Sequence, residues 1–445
     1  MSLSLSMLPP DAGDESVADL VEPDRIHRDV YISERVYRLE QERLWKRAWV
    51  FLGHDSLVPN AGDYYTAEIA GQSLVMLRQA DGKVAVLFNR CAHKGSRLLH
   101  ERQGNAGKFL RCPYHAWTYK LDGKLMSIPL KNDYEGTGLS DSPSGQGMAA
   151  PGGVRNYKGF VFTRISAAGP DFDSYFSPAV LATLDNMVAR SPVGELEVVG
   201  APLRNVMRCN WKMYLENIND TVHPISTHES AATAAGKVGK SLPEGDARTS
   251  LAMEQLLPFG AGYSFYSDMG AKVLPNGHSV LGTKASIHTG YAPLPEYEAE
   301  LAGLYGEEEA RELLSFSPQN TVFYPSAAFK TSPSLMRVLR PLGPDRTLIE
   351  AWAMVPKGAP QRLRQRVASY VRLVFSPMSV VAHDDVHLFE SQQIGLGSDG
   401  NEWVSLHRGH QAGETQTPSL ALENGNNEIM MRNQYRGWLS LMDPA

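Results

Sequence analysis

The chain has 445 residues, with 43 Lys and Arg against 49 Asp and Glu for a formal net charge of −6. At ~150 residues per domain this length makes two to three domains. The acidic balance argues against a nucleic-acid binder with a broad basic surface and lends nothing to binding an anionic membrane.

Apolar runs fall short of the ~18 residues of a membrane span. The acidic N-terminal stretch (Asp11, Asp14, Glu15, Asp19, Glu22, Asp24) lacks the basic flank of a secretory signal, and three cysteines exclude a disulfide scaffold. The expectation is a cytoplasmic enzyme with neither nucleic acid nor membrane among its partners.

Patterning divides the chain into three regions. Residues 1–49 read as an acidic arm with little core of its own, followed by a helix over 35–50. Ser33 caps that helix, and Tyr37, Leu44, Trp45 and Ala48 form its apolar stripe. Residues 50–165 change to short strands. Apolar runs at 74–77 and 84–88 flank Asp81-Gly82, and a second pair at 117–121 and 124–128 flanks Asp122-Gly123, two hairpin signals in a small all-β domain. A Pro/Gly/Ser-rich loop at 140–153 interrupts it. From 166 to 445 strands and helices mix. Trp211, Tyr214, Leu215 and Ile218 mark a helix at 210–219, and an Ala/Gly/Ser/Lys-rich stretch at 231–249 is expected as a mobile loop. Strand-like runs cover 321–356 around Gly343-Pro344, and a helix follows Pro377 over 379–393. The second domain is therefore α+β, a sheet carrying helices on one side.

Two of the three cysteines lie in Cys91-Ala92-His93 and Cys112-Pro113-Tyr114-His115, each loop offering one thiolate and one imidazole. Two Cys and two His can hold zinc tetrahedrally, or a [2Fe–2S] cluster with Cys on one iron and His on the other. Common zinc modules use C-x-x-C and H-x3–5-H pairs, unlike the mixed pairs here. The segments R-C-A-H-K-G (90–95) and C-P-Y-H-A-W (112–117) resemble the Rieske loops of ring-hydroxylating oxygenases, with Lys94 where that family more often has Arg. The resemblance implies that Cys91 and Cys112 bind one iron and His93 and His115 the other.

A second pattern, N-W-K-x3-E-N-x-x-D-x-x-H-x4-H, runs from Asn210 to His228. Two histidines five apart would not share a helix face as an i, i+4 pair does, and Pro224 disfavours helical geometry at His223. Taken alone, such a pair is structural or ligating. The pattern resembles the mononuclear-iron motif of the α subunits of Rieske non-heme iron oxygenases. Its short spacing is closer to terephthalate-, salicylate- and benzoate-type members than to naphthalene-type ones. Residues 384–396 resemble the same family's [ED]-D-x3-[CF]-E-x2-Q-x-G-L. The resemblance implies that His223, His228 and Asp385 hold Fe(II), with Asp384 the main rival to Asp385, and His383 and His387 weaker ones. It further implies that Asp220 sits between His223 and a cluster-ligating His115 of a neighbouring chain, an electron-transfer bridge within a trimeric ring.

Asn217 and Ile218 are expected in the substrate pocket, with the 231–249 loop as a candidate lid. Arg337 could meet a substrate carboxylate or a structural ion pair. Residues 433–438, N-Q-Y-R-G-W, resemble the family's closing segment, and Cys209 is left as a buried thiol.

The resemblance implies a Rieske all-β [2Fe–2S] domain plus a helix-grip catalytic domain, an antiparallel sheet with helices. The implied activity is cis-dihydroxylation of an aromatic acid or hydrocarbon with O2, the alternative being ring monohydroxylation or O- or N-demethylation on the same metals. Electrons from NADH would come through a separate reductase, with or without a ferredoxin, since no G-x-G-x-x-G follows a predicted strand. The working unit would be a homotrimer, or an α3β3 assembly with a small β subunit. An electron carrier would need only the first 165 residues, and a zinc protein would be colourless where a Rieske cluster is red-brown.

Overall fold

The computed structural model describes residues 16–141, 146–241, 251–289, 291–414, 419–422 and 424–443. The β domain holds three small antiparallel sheets. Val84–Phe88, Gln72–Arg78, Asp63–Ile69 and Gln103–Asn105 lie side by side in that order. Leu110–Arg111, Thr118–Tyr119 and Leu125–Ser127 form the second sheet, and Gly153–Tyr157, Phe160–Arg164 and Val50–His54 the third. Both expected hairpins turn on glycines in the left-handed region, Gly82 at φ 83° and Gly123 at φ 86°, which a β-carbon would resist. Val75, Leu77, Leu87, Leu110, Trp117 and Tyr119 form a core directly beneath Cys91 and Cys112.

The second domain is built on a nine-stranded antiparallel sheet. Leu196–Val198 and Leu203–Met207 both pair with Arg346–Pro356, followed by Ser334–Gly343, Ala327–Thr331, Asn320–Phe323, Ser279–Leu281, Ala271–Val273 and Leu420–Leu422. Period-two alternation gives its long central strands two buried faces. Trp352 packs against Phe51 and Tyr65 of the β domain, with ring centroids 6.1 and 5.8 Å away. Leu335, Ala351 and Ala353 share a core with Val367, Tyr370 and Val371 of the helix Gln361–Phe375. This is the α+β architecture expected, with the helices gripping the sheet. Among the described residues no helix is long and apolar enough to cross a membrane.

Several local expectations change. Helix α1 (Glu34–Leu39) starts under its Ser33 cap, whose hydroxyl accepts from Val36 N–H at 3.4 Å. It then widens into an i→i+5 turn over Glu40–Trp45 that buries Glu40, Leu44 and Trp45, and Val50 already begins a strand. From residue 16 on, the N-terminal segment is not an arm without a core: Val17, Ile26, Val30 and Tyr31 are core residues, and Arg25–His27 pairs with Trp403–Ser405, while residues 1–15 lie outside the described residues. Helix α2 (Trp211–Ile218) takes Asn210 as its cap. His223 opens a short helical turn, α3 (His223–Thr227), in which Pro224 sits where a missing N–H costs nothing. The stretch expected as a loop at 231–249 is helical through α4 (Glu229–Ser241), because its alanines favour helix over its two glycines; residues 242–250 lie outside the described residues. Helices α5 (Ala382–Leu396) and α6 (Ile429–Met442) complete the framework around the site.

Candidate metal centres

The two Cys/His loops share one backbone design. Gly95 N–H donates to Cys91 O at 3.0 Å and Ala116 N–H to Cys112 O at 3.1 Å, and each turn closes with a 2.8 Å bond from the cysteine N–H to Ser96 O or Trp117 O. Gly95 and Ala116 both adopt positive φ, 75° and 57°. The matched turns bury both cysteines while His115 stays exposed and His93 half-exposed.

The Tyr119 hydroxyl, 3.0 Å from Cys91 Sγ, also accepts from Ala92 N–H at 3.1 Å. Burial opposes ionisation of Cys112, but backbone N–H groups of Tyr114 and His115 outweigh it and hold the thiol below its ordinary range. The imidazoles of His93 and His115 meet edge to face at 4.7 Å, and His93 stacks on Trp117. Buried His93 Nδ1 has no hydrogen-bond partner. Paired thiolates, paired imidazoles and an orphaned ring nitrogen suit a two-iron cluster better than a single zinc.

The second group is convergent. Among the described residues, ligand atoms of His223, His228 and Asp385 lie within 4.8 Å of one another. Asp385 Oδ1 is 3.7 Å from His223 Nε2 and 3.4 Å from His228 Nε2, and it accepts from Asn217 Nδ2 at 3.1 Å. The other ring nitrogens face carboxylates of their own. His223 Nδ1 is 3.0 Å from Asp220 Oδ2, and His228 Nδ1 is 3.5 Å from Asp384 Oδ2. A proton held on each Nδ1 leaves both Nε2 lone pairs aimed at the common point, the two-histidine, one-carboxylate set of non-heme iron.

Burial lowers the basicity of His228 and raises the Asp385 carboxyl, the latter opposed by both imidazoles. Asp220 goes the other way: burial opposes its charge, but His223 and Arg408 bring it down to about 2. His383 and His387 are exposed on α5, outside this group.

Two contacts lay beyond sequence reasoning. Asp384, weighed as a rival ligand, instead approaches the far edge of His228. Arg408 Nη2 donates to Asp220 Oδ1 at 2.6 Å from a segment with no recognisable pattern.

The beginning of the motif serves a different purpose. Lys212 Nζ donates to Glu40 Oε1 at 2.6 Å with both side chains fully buried, and Trp211 and Trp438 donate to the same carboxylate. Cys209 is a buried thiol that burial pushes up to about 12. Beside the metal-ligand group lies a cavity lined by Asn217, Ile218, Phe259, Ile287, Leu335 and Phe375, with Lys330 and Arg337 also in its wall. Apolar walls with few polar groups are the usual make-up of a small-molecule site.

Residues 48–143 match the Rieske [2Fe-2S] domain, and residues 193–442 match the catalytic domain of the ring hydroxylating alpha subunit. The anthranilate 1,2-dioxygenase large subunit of Acinetobacter baylyi is 28% identical, covering 94% of this chain and 89% of that protein. The large oxygenase component of the Pseudomonas aeruginosa naphthalene 1,2-dioxygenase system is 30% identical over 95% of this chain and 92% of its own length. In fold, the chain superimposes on naphthalene 1,2-dioxygenase from Rhodococcus sp. with a TM-score of 0.73 at 23% identity, covering 94% of each chain. With a catalytic-domain match over more than half its length, the chain belongs to the family of Rieske [2Fe–2S], mononuclear-iron aromatic ring-hydroxylating oxygenases, as an α subunit.

Proposed function

We propose that this chain is the terminal oxygenase of a cis-dihydroxylating system acting on an aromatic acid or hydrocarbon. Cys91, His93, Cys112 and His115 would hold the cluster, and His223, His228 and Asp385 the iron. The observation that carries this reading is the convergence of His223, His228 and Asp385 on one point in the wall of a largely apolar cavity. When bound, the cluster relays electrons to the iron, which activates O2 for addition to the ring.

The chain's own residues prepare that site. Asp220 and Asp384 keep protons on the outer nitrogens of His223 and His228, so that neutral imidazoles present their Nε2 atoms. His223, His228 and Asp385 would hold the iron that supplies the O2 chemistry, and the largely apolar wall would exclude water from the substrate. Electrons would come from NADH through a reductase, with or without a ferredoxin. We place the chain in a homotrimer, with or without a small β subunit, in which Asp220 meets His115 of the partner subunit. The exposure of His115 at the tip of its loop supports that assignment.

A single turnover of chemically reduced protein with 18O2 tests the reading. The panel is benzoate, salicylate, anthranilate, naphthalene, biphenyl and a methoxybenzoate. Two labelled oxygens in one product are expected. One labelled oxygen, or formaldehyde from the methoxy compound, moves the chain to the monooxygenase alternative. No product despite a reducible cluster and bound iron overturns both.

A further inference from the structure

We propose that Lys330 and Arg337 form an anion-binding subsite in the active-site cavity, so that the ring taken by this enzyme carries a carboxylate; this rests on the dioxygenase reading above. The two residues lie on adjacent strands of one hairpin. Lys330 stands opposite Leu335 and Arg337 opposite Ala328, so they are diagonal neighbours on the same face. That face lines the cavity that also contains His223, His228 and Asp385. Lys330 is 1% exposed and Arg337 7%.

Their surroundings leave the charges uncompensated. Among the described residues Lys330 Nζ donates only to Gln319, to O at 3.3 Å and Oε1 at 3.0 Å, although an ammonium has three donors. Arg337 Nη2 donates to the side-chain oxygen of Asn320, its guanidinium also meets the Tyr214 hydroxyl and sits 5.5 Å over the Phe375 ring, and its Nε is buried without a partner. Among the described residues, no carboxylate pairs with either.

Four other buried cations are compensated, although Arg340 is not one of them: it donates to Leu52 O at 3.2 Å and its buried Nη1 has no partner. Lys212 faces Glu40, Arg366 faces Glu254 and Arg432 faces Glu414, while Arg190 is wrapped by the carbonyls of Leu313, Leu314 and Phe316. Two like charges buried side by side are destabilising unless an anion joins them. Burial, reinforced by Arg337, accordingly holds the Lys330 ammonium well below the usual lysine range. A substrate carboxylate supplies the missing counter-charge, and the planar guanidinium and the ammonium together fix one edge of the ring relative to the metal ligands.

The test is calorimetric binding to the oxidised holoenzyme of benzoate, anthranilate and salicylate, each against its neutral amide. The expected result is a preference for the acids of about tenfold or more. Arg337→Gln and Lys330→Met should each weaken acid binding by about 10- to 100-fold while moving amide binding less than about threefold. Lys330→Met should also raise the melting temperature, whereas loss of a purely structural lysine would lower it; should Met disturb folding, Lys330→Gln keeps a polar contact with Gln319.

Equal binding of acid and amide, binding of neither, or variants that weaken both alike would overturn the subsite. Neutral arenes that gain two labelled oxygens without any such discrimination would sink the subsite alone. Acid discrimination without oxygen incorporation in any compound would sink the dioxygenase reading alone.

Discussion

Replacing Asp220 by Asn keeps the shape of the side chain and removes its charge, which separates two roles of this carboxylate. In the structure Oδ2 accepts from Val222 N–H at 3.1 Å, His223 N–H at 2.6 Å and His223 Nδ1 at 3.0 Å, while Oδ1 accepts from Arg408 at 2.6 Å. These contacts bring the carboxyl from 3.8 to about 2. The difference of nearly two pH units corresponds to about 2 kcal/mol of folding stability. The group is depressed, so this stability is fully present above the unfolded value of 3.8 and is lost as pH falls toward 2. Urea unfolding of metal-free wild type and Asp220→Asn should therefore differ by about 2 kcal/mol at pH 6, and the difference should shrink below about pH 4 and close only below about pH 2.

The same variant tests the bridging role. An amide oxygen still accepts from His223 Nδ1 and the two backbone N–H groups, so the orientation of the imidazole survives in part. If Asp220 served orientation alone, the loss would stay within the ~10–100-fold typical of groups behind a metal ligand. A carboxylate that bridges to His115 of the partner subunit predicts more: iron and cluster contents at wild-type levels, with product from a reduced single turnover below detection. Normal product formation in Asp220→Asn or Asp220→Ala would refute the bridge. An equally complete loss in Arg408→Gln, which leaves the carboxylate in place, would show that the ion pair matters rather than the bridge.

Three further outcomes follow from other contacts. Tyr119→Phe removes a donor 3.0 Å from Cys91 Sγ, and losing about 1 kcal/mol of preference for the more negative, reduced cluster should lower its potential by about 40 mV in a redox titration; an unchanged potential would deny the contact. Burial lifts the Glu216 carboxyl to about 7 from 4.5, so its folded-state proton is a source of stability at low pH. About 3 kcal/mol should disappear as pH rises from 4.5 to 7, and Glu216→Gln, which can still accept from Tyr31 and Tyr435, should flatten that slope in unfolding experiments. Lys212→Met strands the buried Glu40 carboxylate and should destabilise by about 3–5 kcal/mol, with Glu40→Gln added in the same chain restoring part of it by denaturant titration.

The legibility of the sequence followed the distance over which each feature is encoded. The Cys/His loops carry their donors within a few residues and turn on Gly95 and Ala116, so residue identity and spacing alone bring the four donors to one end of the β domain. Asp385 lies on a helix far along the chain from His223 and was reachable only through the resemblance of its neighbours. Asp384 was not assignable, because adjacent positions on a helix differ by ~100° and sequence does not say which one meets which imidazole. Arg408 and Lys330 act through partners more than ten residues away with no motif around them. Helix α4 is hidden by its composition, because Gly and Ser point to a loop while its alanines carry the helix. The acidic composition of the N-terminal segment hides Val17, Ile26, Val30 and Tyr31, whose burial depends on strands and helices contributed by the C-terminal half.

The motif from Asn210 to His228 divides its work between opposite faces of one helix. Lys212 and Glu216, four apart, share a side of α2 and reach Glu40, Tyr31 and Tyr435. Tyr214, Asn217 and Ile218 fall on the other side, roughly 170° away, and line the cavity. Asn210 caps the helix and also donates to Tyr31 O and Pro344 O at 2.9 and 2.8 Å, tying its start to the N-terminal segment and to the turn between two sheet strands. A buried ion pair adds little net stability, yet it tolerates one rotation of α2 only, since any other would leave the Lys212 ammonium or the Glu40 carboxylate unpaired. That fixed rotation delivers Asn217 to Asp385 at 3.1 Å. A few residues later it carries the chain into the turn that presents Asp220, His223 and His228. The charged network is thus part of the proposed iron site at one remove: it sets the angle at which the proposed ligands arrive, and residues such as Trp211 and Lys212 belong to the motif although neither touches the group of His223, His228 and Asp385.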